Sequence, residues 1–144
     1  MFATAASSRN RAFASAGAYR QVDVETGVSG ASPHQLVTML FDGFNAAVAQ
    51  ARGALASGDI ETKCKAVTRA VRIVDEGLKA SLDAAGGELS ANLGALYAYI
   101  SLRLTEANLR NDDATLAECL QLIEPVRAAW LDIAPDRTAT AGAA

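Results

Sequence analysis

The sequence predicts an all-α protein: an antiparallel up-down-up-down four-helix bundle with a flexible N-terminal segment. Three observations carry that prediction. Apolar residues recur at three- and four-residue spacing through most of residues 33–133. Only three prolines occur in 144 residues, and β-branched residues do not alternate in runs as strands require. Glycines and aspartates break the periodic stretches so that connections shrink to about one to three residues, which forces successive helices to run antiparallel.

The first helix has the clearest start. Ser32 is placed to cap it, and Gln35, three residues on, can close a capping box. Pro33 takes the first helical position, where its missing N–H costs nothing. Val37, Phe41, Phe44, Val48, Ala51 and Leu55 then share one face to about residue 57, and Gly58 is suited to a left-handed stop. Asp59 caps a second helix that runs to about residue 85, with Ile60, Cys64, Val67, Val71, Val74, Leu78 and Leu82 in line. Gly86 and Gly87 end it.

A third helix over 88–110 aligns Leu89, Leu93, Leu96, Ile100, Leu104 and Ala107. Asn111 ends it, and Asp112 or Asp113 caps a fourth over about 113–133, with Leu116, Leu120, Ile123, Val126, Trp130 and Ile133. Pro125 falls inside this helix, removes a backbone bond to Gln121 and is expected to bend it. Residues 1–31 read as a flexible N-terminal segment able to act as a cap, residues 32–134 as the bundle, and residues 135–144 as a disordered tail.

Composition narrows the function. The net charge is −3, with thirteen Lys and Arg scattered among sixteen Asp and Glu. No basic stripe suggests nucleic acid, and no run of about 20 apolar residues suggests membrane insertion. No apolar h-region follows N-terminal basic residues, so no secretory signal is expected. Cys64 and Cys119 read as buried free thiols of a reducing cytoplasm. Neither metal nor cofactor is expected: His34 is the lone histidine, read as a solvent-exposed turn residue, and no Glu-x-x-His pair, Cys/His cluster or phosphate loop occurs. The chain therefore reads as non-enzymatic.

Apolar residues exceed what one core stripe per helix needs. Helix 3 carries a second set, Ala95, Tyr99, Leu102 and Leu109. Helix 2 adds Ala66, Ala70, Ile73, Gly77 and Ala80, and helix 1 adds Leu36, Leu40, Gly43 and Ala47. Glycine inside a helix costs about 1 kcal/mol relative to alanine, which favours a reason of close approach. Two readings stay open: tight packing within the bundle, or grooves that accept added helices.

The ordered set Tyr19, Val22-Asp23-Val24-Glu25, Ala31-Ser32-Pro33-His34-Gln35-Leu36-Val37-Thr38-Met39-Leu40-Phe41-Asp42-Gly43, Ile73-Val74-Asp75-Glu76-Gly77-Leu78 and Gly86-Gly87-Glu88-Leu89 resembles the flagellar secretion chaperone FliS family. Asn92-Leu93, Leu96-Tyr97, Tyr99-Ile100, Arg103-Leu104, Ala107-Asn108 and Ala129-Trp130 continue the resemblance, which covers about residues 19–133. It implies a cytoplasmic export chaperone that binds the C-terminal segment of flagellin, prevents premature polymerisation and assists delivery to the export gate protein FlhA. The anti-sigma factor FlgM is a further partner it offers. Tyr19 matches a family tyrosine tied to client binding, although Ala16 stands where the family often has an aliphatic residue. The expected partner-binding residues are Tyr19, Ala70, Ile73, Gly77, Tyr99 and Leu102. A self-associating helical-bundle interaction protein is the alternative reading.

Overall fold

In a computed structural model, which describes residues 30–85 and 87–133, four helices form a bundle. The first, α1, spans Pro33–Ser57. Its start has the full capping box: the Gln35 N–H donates to Ser32 Oγ at 3.1 Å, and the Ser32 N–H donates to Gln35 Oε1 at 2.8 Å. Gly58 stops it at φ 80°, in the left-handed region that suits a residue without Cβ. The second helix, α2, covers 60–85 and begins at Asp59, whose carboxylate accepts the Thr62 N–H. The third, α3, spans Gly87–Arg110, and the fourth, α4, spans Asp113–Asp132 behind the Asp112 cap. The tail from residue 135 and nearly all of the N-terminal segment lie outside the described residues.

Each helix packs on two neighbours, α1 and α3 each touching both α2 and α4. Specific contacts give the sense of these pairings. Arg52 near the end of α1 meets Asp113 at the start of α4, whereas His34 at the start of α1 meets Trp130 near the end of α4. Between α2 and α3, Lys63 reaches Asn108 and Asp75 reaches Ser101. Early residues pair with late ones, as in antiparallel neighbours. Between the helices lies one continuous core that includes Phe41, Phe44, Val48, Val67, Val74, Leu78, Ile100, Leu104, Leu116 and Ile123.

Several sequence expectations are corrected. The second helix is not uniformly α: Ile60–Arg72 and Lys79–Ala85 flank a π-helical stretch, Ile73–Leu78. Side-chain spacing does not distinguish a widened turn from an ordinary one. His34 is buried, not a solvent-exposed turn residue. Its ring stacks on Trp130 at 4.8 Å between centroids, its Nε2 lies 3.0 Å from the Trp130 carbonyl oxygen, and the Trp130 indole N–H donates to the His34 carbonyl at 3.1 Å. Cys119 is buried and its thiol is pushed up to about 12 chiefly by desolvation, but Cys64 is only half-buried; both are free. Ile60 and Leu89, assigned to core stripes, are exposed, each in the first turn of its helix. Pro125 lies inside α4, which runs unbroken from Asp113 to Asp132 as the sequence placed it.

Lys63 was not singled out by sequence. It is only 2 % exposed, and its ammonium donates to both the carbonyl oxygen and the side-chain Oδ1 of Asn108, at 2.8 and 2.7 Å. Asn108 is in the last turn of α3, where free carbonyls and the helix dipole favour a cation. A buried lysine thus ties the start of α2 to the end of α3.

Both cap carboxylates, Asp59 and Asp112, are held below the ordinary aspartate value of 3.8, first of all by hydrogen bonds from Thr62 and Thr115. With the folded values depressed, the unfolded chain binds more protons through that window, so stability rises with pH there. The contribution is complete above about pH 5 and is lost as pH falls through the folded values. Substituting Asp59→Asn together with Asp112→Asn keeps cap acceptors and should flatten the acid limb of a plot of urea midpoint against pH. A limb of unchanged slope would show that other carboxylates govern it.

Candidate functional site

The two apolar sets of α3 point in opposite directions. Tyr97, Ile100, Leu104 and Ala107 are buried in the core. On the other side Ala91, Ala95, Ala98, Tyr99, Leu102 and Leu109 are exposed, recurring at the spacing of a single helical face. Tyr99 is 44 % exposed, Leu102 55 % and Leu109 82 %. From Ala91 to Leu109 the stripe rises through 18 residue steps, or about 27 Å at 1.5 Å per residue. An apolar stripe that faces away from its own core is the kind of surface that marks an interaction site.

The stripe changes character along its length. Its N-terminal half offers alanines, and a Cβ on Gly94 would meet nothing within 4 Å. Its C-terminal half carries the ring and the leucines. A polar border separates it from α4. The Tyr99 hydroxyl donates to Glu118 Oε2 at 3.2 Å, while Arg103 donates to Glu118 Oε1 at 3.1 and 2.9 Å through Nε and Nη2. Arg103 Nη1 also donates to Glu106 at 2.7 Å. These carboxylates hold the Arg103 guanidinium in its charged form, and the Glu118 hydrogen bond raises the Tyr99 phenol above its ordinary value. On the α2 side, Ser101 donates to Asp75 at 2.6 Å.

The six expected partner-binding residues separate into three groups. Tyr99 and Leu102 belong to the exposed α3 stripe. Tyr19 lies outside the described residues. Ala70, Ile73 and Gly77 are buried, Ile73 with 8 % of its surface exposed, so the open groove expected of them is a closed seam instead. The reason is the small-residue face of α1. A Cβ on Gly43 would lie 3.3 Å from Ile73 Cδ1, and one on Gly77 would lie 2.9 Å from Leu40 Cδ2. Side chains of each helix fill the place left by a glycine of the other. Of the two readings of the small faces, tight internal packing holds for α1 against α2.

Among the described residues no group of three His, Cys, Asp or Glu could hold a metal ion. No described helix is long and apolar enough to cross a membrane. What the surface offers chemically is burial of another apolar stripe.

Comparison with known proteins agrees on one family. Residues 15–137 match the family described as flagellar protein FliS. The chain is 49 % identical over 119 residues to the flagellar secretion chaperone FliS of Salmonella typhimurium, covering 82 % of this chain and 88 % of that one. It is 42 % identical over 113 residues to the flagellar secretion chaperone FliSB of Pseudomonas aeruginosa, covering 78 % and 89 %. Against the flagellar secretion chaperone FliS of Bacillus subtilis it is 36 % identical over 113 residues, covering 78 % and 80 %.

The contrast between seam and stripe can be measured. Ile73→Asp puts a carboxylate in the core and should cost more than about 3 kcal/mol in urea unfolding. Leu102→Asp adds a charge to an already exposed position and should change stability by about 0.5 kcal/mol or less. Equal costs for the two would contradict the assignment of inside and outside.

Proposed function

The chain belongs to the flagellar protein FliS family, and from that premise we propose that it is a cytoplasmic, non-enzymatic export chaperone whose client is the C-terminal segment of flagellin. On this reading it covers that segment until export, prevents premature polymerisation and assists delivery to the export gate protein FlhA. FlgM is a further proposed partner.

The observation that carries the proposal is the outward face of α3. Its apolar side chains are in excess of those the core uses, and they form a stripe of the shape an amphipathic client helix requires. Burial of the client's own stripe favours binding by about 25 cal/mol per Å² of apolar surface. Ordering a disordered segment opposes it by several kcal/mol. The balance permits binding that is firm yet reversible, with no nucleotide required. Tyr99 and Leu102 are the proposed contact residues from the original set, joined by Leu109. Tyr19 is proposed as a contact from the N-terminal segment.

Titration calorimetry with a peptide of the last flagellin residues, about 40 of them or two helices of ~20, tests this directly. The wild-type chain should bind, and Leu102→Asp should weaken binding by about tenfold or more, as expected for a central apolar contact worth at least ~1.4 kcal/mol. Wild-type affinity in Leu102→Asp would remove the α3 face from the site. A chain that forms a stable dimer by sedimentation and ignores the peptide would favour self-association through the same face.

A further inference from the structure

Tyr99 is the largest side chain on the outward stripe of α3, and its hydroxyl is already occupied. The donor goes to Glu118 Oε2 on α4, while the other oxygen of the same carboxylate is held by two Arg103 nitrogens. Arg103 is itself steadied by Glu106 at 2.7 Å and reaches Thr115 Oγ1 at 3.4 Å. The carboxylate therefore cannot turn freely, and a phenol bound to it has its ring held over the border between α3 and α4.

We propose that Glu118, fixed by Arg103, is a positioning residue that presets the Tyr99 ring as a wall of the client-binding face. The inference rests on the reading of that face as the client surface, and it adds two physical consequences. A ring that is ordered before binding loses less freedom when the client arrives. A hydroxyl that has its acceptor within the chain can also be covered by an apolar client without leaving a buried donor unpaired. The client stripe opposite Tyr99 is then free to be wholly apolar, with no acceptor of its own.

The test uses the full chain and the flagellin C-terminal peptide, with Tyr99→Phe, Glu118→Ala, the double variant and Leu102→Asp compared by calorimetry and thermal unfolding. Tyr99→Phe keeps the ring and removes only the hydroxyl, and Glu118→Ala leaves Arg103 its Glu106 partner. Each single variant should raise Kd by about three- to tenfold, the effect of losing the order of one side chain. The double variant should bind no more weakly than Glu118→Ala, since that variant already removes the one bond Tyr99→Phe takes away. The thermal midpoint should shift little in Tyr99→Phe because that bond is exposed, and further in Glu118→Ala, which also loses the part-buried Arg103 bonds. Wild-type affinity in both single variants, beside a weakened Leu102→Asp, would overturn the positioning role alone. So would additive losses, or losses that follow the thermal midpoint. If the wild-type chain fails to bind, or Leu102→Asp binds equally well, the face itself is misassigned and the positioning role is overturned with it.

Discussion

The closeness of α1 and α2 is the constraint on which the remaining structure depends. Leu40 occupies the space where a side chain on Gly77 would begin, and Ile73 comes to the same range of Gly43. Two helices with glycines at these points can approach until aliphatic side chains of each enter the other's surface. That approach consumes the small-residue faces of both helices internally. It also fixes where surplus apolar surface is left over. With α1 and α2 closed on one another, and Tyr97, Ile100 and Leu104 completing the core from α3, the long apolar stripe left exposed among the described residues is the outer side of α3.

Other parts of the molecule hold that stripe in place. Lys63 binds the last turn of α3 to the first turn of α2, and the Ser101–Asp75 bond fastens its middle on the same side. Arg103 and Glu118 join it to α4. At the far end of the bundle the His34–Trp130 stack secures α1 to α4, so the two outer contacts of α1 are fixed at both ends, Arg52–Asp113 being the other. A face held at both edges can receive a foreign helix without first being ordered, which is how preorganisation raises affinity. The π-helical turn at Ile73–Leu78 falls within the α1–α2 seam and includes Gly77 itself.

Most of the fold was legible in the sequence because helix ends are local chemistry. The Ser32–Gln35 box, the Gly58 stop and the Asp59 cap each depend on a few adjacent residues and stand where the pattern put them, and the fourth cap, left between Asp112 and Asp113, is Asp112. What escaped depends on partners distant in sequence. His34 is buried with its ring stacked on Trp130, 96 residues later. Lys63 looks like an ordinary charged helix residue until Asn108 is placed above it. The surface was half legible for the same reason. Periodicity finds a second apolar face on a helix but cannot say whether another helix of the same chain already covers it. For Ala70, Ile73 and Gly77 the cover is α1; for Tyr99 and Leu102 no described helix provides one.

Methyl spectra of the leucine- and isoleucine-labelled chain, recorded as flagellin tail peptide is added, bear most directly on this division between a closed seam and an open stripe. With the stripe open and the seam closed, the Leu102 and Leu109 signals should move or broaden as the peptide binds, while Ile73, Leu78 and Leu104 stay fixed. Movement concentrated at Leu40 and Ile73, with Leu102 and Leu109 unaffected, would contradict it, because the client would then have entered the seam that the structure shows closed.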